Sequence, residues 1–146
     1  MKPSCCDDKL NGERFCYVIQ GNPIPWARPR LSINRNFYDS QKQKKQKAQI
    51  QLMNQHTRPL FNIVDPLHLD IIFYMPIPNM SEKKKLEHCG NYHYIRPDLD
   101  NLIKYVKDTA TGILYNDDCV IASITSKKIY DTDPRTELCI TILDKS

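Results

Sequence analysis

From Leu67 to Met75 apolar residues recur at every second position. Leu67, Leu69, Ile71, Phe73 and Met75 share one side, and His68, Asp70, Ile72 and Tyr74 the other. A period of two predicts a strand with one buried face. Pro76 and Pro78 end it. Phe15 to Gln20 alternates in the same way and stops at Gly21-Asn22-Pro23-Ile24-Pro25, since proline cannot continue a ladder. Val120 to Tyr130 and Glu137 to Leu143 read as two more strands. Asp133-Pro134 between them predicts a terminal hairpin.

Helical spacing appears twice. Leu99, Leu102, Ile103, Val106 and Ala110 form a stripe with Asp98 as a natural N-cap and Gly112 just past the end. Ser40-Gln41-Lys42-Gln43 fits a capping box opening a helix to about Gln55. Its stripe of Ala48, Ile50, Leu52 and Met53 is narrow, so the helix should pack one end and expose the other. Residues 1–13 are polar without periodicity and read as a flexible extension, leaving 14–146 as the domain. Residues 79–95 read as a long polar connection. The pattern as a whole predicts four strands and two main helices within one domain.

Composition narrows this picture. The chain has 146 residues, 40% of them hydrophobic, which suits one compact domain. No apolar run approaches the roughly 20 residues of a membrane span. The net charge of +4 permits a phosphate-bearing partner without requiring one. Arg28, Arg30 and Arg35 form one basic group; Lys42, Lys44, Lys45 and Lys47 a second; Lys83, Lys84 and Lys85 a third. Each alone is most simply a solvated face. The six cysteines include no Cys-x-x-Cys pair, and Met1 to Leu10 is too polar for a secretory signal. Reduced thiols and a cytoplasmic location are therefore expected, with Cys16, Cys119 and Cys139 as small core residues. Trp26 is also expected to plug the core, and Tyr92 and Tyr94 to pack on the surface. His88, Cys89 and His93 fit no standard zinc spacing. Glycine-rich phosphate loops and serine or cysteine nucleophile motifs are absent.

Candidate chemistry is concentrated in Arg96-Pro97-Asp98-Leu99-Asp100-Asn101-Leu102-Ile103-Lys104 and in Asp117-Asp118. Asp98 and Asp100 open a helix, where the dipole favours negative charge. Asp100, Lys104, Lys107, Asp108 and Thr111 lie away from the apolar stripe. Each piece has a plain structural explanation. An aspartate at a helix start usually caps it, Asn116-Asp117-Asp118 suits a turn, and Lys104 suits an i,i+4 pair with Asp100. Taken together, the carboxylates could hold magnesium, which prefers carboxylate and water oxygens, with a lysine ready to neutralise charge on a phosphate. Spacing alone does not return Asp118 to the start of the helix.

The segment Arg96-Pro97-Asp98-Leu99-Asp100-Asn101-Leu102-x-Lys104, with Gly112, Tyr115 and Asp117-Asp118 downstream, resembles the RusA family of Holliday-junction resolvases. Gly21-x-Pro23-x-Pro25-x-x-Arg28-Pro29-Arg30 is similar to that family's opening segment. The likeness runs from about Phe15 to Leu143. It implies a RusA-like α+β fold, a small mixed or antiparallel sheet with two main helices, working as a homodimer that resolves four-way DNA junctions by paired nicking with magnesium, manganese being the substitute ion. It implies Asp98, Asp100 and Asp118 as catalytic metal ligands and Lys104 as the catalytic lysine. Arg28 and Arg30, with the basic loop Lys83, Lys84 and Lys85, would then contact branched DNA. Val120 departs from the glutamine that many members carry there. Two alternatives are a less selective nuclease acting on flaps or RNA, and a DNA-binding module without catalysis. The retained carboxylates and lysine argue against the second.

Overall fold

The strand expected at Leu67–Met75 lies inside the sheet, and everything that positions the acidic residues is arranged around it. A computed structural model describes residues 10–27, 30–31, 37–38, 41–56 and 65–143. In chain order its elements are β1 (Leu10–Gln20), β2 (Arg30–Leu31), β3 (Phe37–Tyr38), α1 (Lys42–Gln55), β4 (Leu67–Pro76), α2 (Glu82–His88), α3 (Leu99–Ala110), a 3-10 turn (Asp118–Val120), β5 (Ile121–Asp131) and β6 (Arg135–Leu143). The four long strands form one mixed sheet in the order β1-β6-β4-β5, and the α+β class is as expected. β4 is parallel to β5 and antiparallel to β6; β6 is antiparallel to β1.

Alternation decides the core. Leu67, Leu69, Ile71, Phe73 and Met75 of β4 are buried together with Tyr17 and Ile19 of β1 and Leu138 and Ile140 of β6. α1 adds Ala48 and Leu52, and α3 adds Leu102, Val106 and Ala110. Both helices thus cover the same face. An ion pair between Lys45 and Asp108 (2.6 Å) ties them together.

The narrow stripe of α1 has its explanation in β1, an edge strand. Gln55 accepts from the Val18 amide (2.8 Å) and donates to the Val18 carbonyl (2.7 Å). Gln51 accepts from the Gln20 amide (2.8 Å). These side chains satisfy backbone groups that an open edge would leave to another chain. β5, at the opposite edge, is covered by the chain itself: Gly90 donates to Tyr130, Tyr130 to Asn91, and His93 to Lys128, at 2.8–3.0 Å.

Several expectations change. β5 and β6 are not a hairpin, because β4 lies between them. Residues 132–134 must therefore span two inter-strand gaps, about 10 Å. Arg135 braces that crossing. It donates to the Asp133 carbonyl (2.9 Å) and to Glu137 (2.7 Å), and its guanidinium lies 3.8 Å over the Tyr74 ring. The connection 79–95 contains α2, capped by the Ser81 hydroxyl. β1 begins at Leu10, earlier than Phe15. α1 begins at Lys42 with Gln41 at its cap, and Ser40 lies outside the described residues. Cys16 and Cys139 are joined as a disulfide, not reduced core thiols. They are register partners in β1 and β6, next to buried Tyr17 and Leu138 and so on the face opposite α1 and α3. Cys119 is exposed. No helix among the described residues is long and apolar enough to cross a membrane.

Candidate functional site

α3 carries most of the candidate residues, and its amphipathicity orients them. Leu102, Tyr105, Val106, Thr109 and Ala110 face the core. That directs Asp100, Lys104 and Lys107 outward along one side, since residues four and seven apart share a face. Asp98 occupies the N-cap with extended backbone, yet its carboxylate makes no capping hydrogen bond. Among the described residues, Asp100 accepts only from the adjacent Asn101 amide (2.9 Å). Both are exposed. Two carboxylates thus stand at the positive end of the helix dipole with most of their lone pairs open.

The approach to α3 is held from β5. The Lys128 ammonium donates to the Ile95 carbonyl (2.8 Å) and the Pro97 carbonyl (2.6 Å), on either side of Arg96. His93, buried just upstream, has an imidazole pKa lowered below 6.5, first by burial and then by the Lys128 charge. Tyr92 and Tyr94 are exposed.

Lys104 does not pair with Asp100 among the described residues. Its ammonium sits 3.8 Å from the ring centroid of Trp26. The Trp26 amide donates to the Asn101 carbonyl (2.9 Å), which docks the proline-rich loop on the first turn of α3. Trp26 is half-buried, not the core plug expected.

The chain reversal after α3 brings Asp118 back. Gly112 adopts φ +87°, a left-handed conformation that favours glycine. The Gly112 amide donates to the Tyr115 carbonyl (2.6 Å), closing the turn. Tyr115 is fully buried, and its hydroxyl donates to the Lys107 carbonyl (3.1 Å), which also accepts from the Thr111 hydroxyl (2.7 Å). The returning segment is thereby fixed to α3 at Lys107. Asp117 then caps the 3-10 turn by accepting from the Cys119 amide (3.1 Å). Asp118 points the other way, its carboxylate 3.8 Å from the Lys107 ammonium. The Tyr115 hydroxyl pKa is raised by burial first and by the Asp118 charge second, as this proximity requires.

Asp118 thus arrives on the outer side of α3 beside Lys107, whose place in the helix is seven residues, about 10 Å of axis, from that of Asp100. No three Asp, Glu, His or Cys side chains among the described residues come close enough to hold one metal ion. Asp98 at the cap, Asp100 in the first turn and Asp118 beside Lys107 do not form one coordination sphere. The donor set still suits a hard ion. Magnesium commonly rests on one or two carboxylates with water completing the octahedron, and Asp98 and Asp100 can supply those.

Of the basic candidates for DNA contact, only the lysines of α2 have described side chains. Lys83 and Lys84 are exposed on α2, and Lys85 is half-buried 3.8 Å from Glu82. Lys85 and Glu82 line a cleft with Pro76 and Asp131, so α2 sits at that end of the sheet. Arg28 lies outside the described residues; Arg30 has its backbone in β2, while its side chain lies outside them. Sequence reasoning gave no role to Lys128 and only a shared face to Lys107. Helical spacing was the one signal for the latter.

The profile of the family described as Endodeoxyribonuclease RusA matches residues 20–141. The chain belongs to the RusA endodeoxyribonuclease family. It is 32% identical over 134 residues to the crossover junction endodeoxyribonuclease rusA of Lactococcus phage r1t, covering 88% of this chain and 98% of the phage protein. It is 31% identical over 132 residues to the uncharacterized protein YqaN of Bacillus subtilis (strain 168), covering 85% of this chain and 93% of that protein. The RusA match takes in the proline-rich loop, all of α3 and the reversal to Asp118. Val120, where many RusA-family members carry glutamine, is a core residue here.

Proposed function

We propose that the chain is a structure-selective endodeoxyribonuclease that resolves four-way DNA junctions by magnesium-dependent paired nicking, acting as a homodimer. The observation that carries this reading is the reversal after α3, which returns Asp118 to the helix side bearing Asp100 and Lys104. Family membership and the phage relative support the substrate class.

Asp98 and Asp100 would bind the ion at the start of α3, where the dipole stabilises both charges. When bound, that ion supplies an activated water and charge neutralisation at the scissile phosphate. Asp118 would complete the acidic side. Lys104 would offset the negative charge that builds on the phosphate in the transition state. Arg28, Arg30 and Lys83 to Lys85 would hold junction arms through phosphates, positioning without reading sequence. Two equivalent sites in a two-fold dimer suit two symmetric cuts.

The test is a synthetic four-way junction with and without magnesium, comparing the natural chain with Asp118→Asn. The natural chain should nick paired strands only with magnesium. The variant should bind the junction and leave it uncut. Equal cutting by both would overturn the site assignment. Equal cutting of a flap control would replace junction resolution with a less selective nuclease.

A further inference from the structure

We propose that Trp26 is a positioning residue for Lys104, acting through the face of its indole. The inference rests on Lys104 having the role given above. Two contacts carry it. The Lys104 ammonium lies 3.8 Å from the Trp26 ring centroid, well within the roughly 6 Å over which a ring attracts a cation. The Trp26 amide is bonded to the Asn101 carbonyl in the turn of α3 that precedes Lys104, so ring and lysine are fixed to the same piece of backbone.

The physical need for such a device is clear from the rest of the helix. Lys104 is exposed, and a free lysine side chain samples many rotamers. Its neighbour Lys107 is drawn to Asp118, and Lys45 to Asp108. An ion pair with Asp100 would turn the Lys104 charge onto a carboxylate that the proposed reaction needs open. A ring attracts the ammonium without neutralising it or supplying a hydrogen-bond acceptor. The charge stays available to a phosphate while its wandering is curtailed. The loop that brings the ring is itself anchored, because the Pro25 carbonyl accepts from the Gln41 side chain (2.7 Å) beside α1.

Three variants separate the ring's face from its bulk. Trp26→Phe keeps a π face, Trp26→Leu keeps apolar volume without one, and Lys104→Met removes the cation. Single-turnover cleavage of a saturating junction should be nearly unchanged in Trp26→Phe and fall about two- to fivefold in Trp26→Leu, the range a solvent-facing cation–π contact supports. Junction affinity should stay the same in both. Equal rates in the Phe and Leu variants, or a loss confined to binding, would overturn the proposal. A second measurement needs neither DNA nor metal. The ε-methylene protons of Lys104 should resonate upfield in the natural chain and in Trp26→Phe, and return to ordinary positions in Trp26→Leu. Unshifted Lys104 protons in the natural chain would also overturn it. A chain that cuts no junction but retains the upfield shift would fail the nuclease reading and leave the contact standing, so the two failures are distinguishable.

Discussion

Asp117 and Asp118 are adjacent in sequence and have opposite duties. Asp117 accepts a backbone amide and shapes the turn; Asp118 faces Lys107. Asp117→Asn keeps an accepting oxygen, so its junction cleavage should stay within about twofold of the natural rate, whereas Asp118→Asn should abolish it. Lys107 is paired with Asp118, which under the proposed function lies beside the divalent ion. Lys107→Met should therefore tighten manganese binding by up to about fivefold, the limit set by a solvent-exposed ion pair; calorimetry on the protein alone reads this, and unchanged affinity would deny Lys107 the competing role. These distinctions were only partly legible in the sequence. Helical spacing shows which residues share a side, and it grouped Asp100, Lys104 and Lys107 correctly. It is silent on partners from elsewhere in the chain, so Trp26 displaced Asp100 as the contact of Lys104. Cys16 and Cys139 were misread because apolar neighbours suggest a core, while strand parity put them on the face opposite α1 and α3.

At the scale of elements, strong periods were reliable, the narrow stripe of α1 sufficed, and an element with no period was missed. β4 follows its alternation along its whole length, and α3 its apolar stripe. α2 has no buried residue and Leu86 is exposed, so the only sign of it was the Ser81 cap. The hairpin error has another source: neighbours in sequence need not pair when a third strand can enter between them. The segment from Gly90 to Pro97 depends on Lys128 for its position. Lys128→Met should cost on the order of 2 kcal/mol through the two carbonyls it leaves unbonded, measured by urea unfolding, with faster amide exchange over residues 90–98. His93 in the same segment gives a pH signature. Its folded pKa is lowered, so the unfolded chain binds the proton more readily. Its contribution is complete above the ordinary imidazole pKa and lost as pH falls through and below it. His93 faces Lys128 and the Tyr130 ring, which His88 also contacts. His93→Gln should flatten the fall in urea midpoint between pH 7 and pH 5, and an unchanged slope would assign that fall to other groups.

For the whole molecule, the C-terminal part of each edge strand is occupied, β1 at Val18 and Gln20 by glutamines of α1 and β5 at Lys128 and Tyr130 by residues 90–93. A second copy pairing along those parts would have to displace them, so a homodimer should form elsewhere on the surface. Sedimentation should give about twice the chain mass of 17.1 kDa. Junction affinity should fall steeply and log-linearly with salt if arginine and lysine contacts to phosphate dominate. The strand order has one more consequence. β6, last of the strands to be made, is inserted between β1 and β4 and separates them. A chain still emerging from the ribosome with β6 incomplete has β1 and β4 in hand but no continuous sheet on which to lay α1 and α3. Asp98, Asp100, Lys104 and Asp118 have all been synthesised by then, yet their common support has not. The sheet that supports the candidate site is therefore completed only by a strand made after every one of its residues.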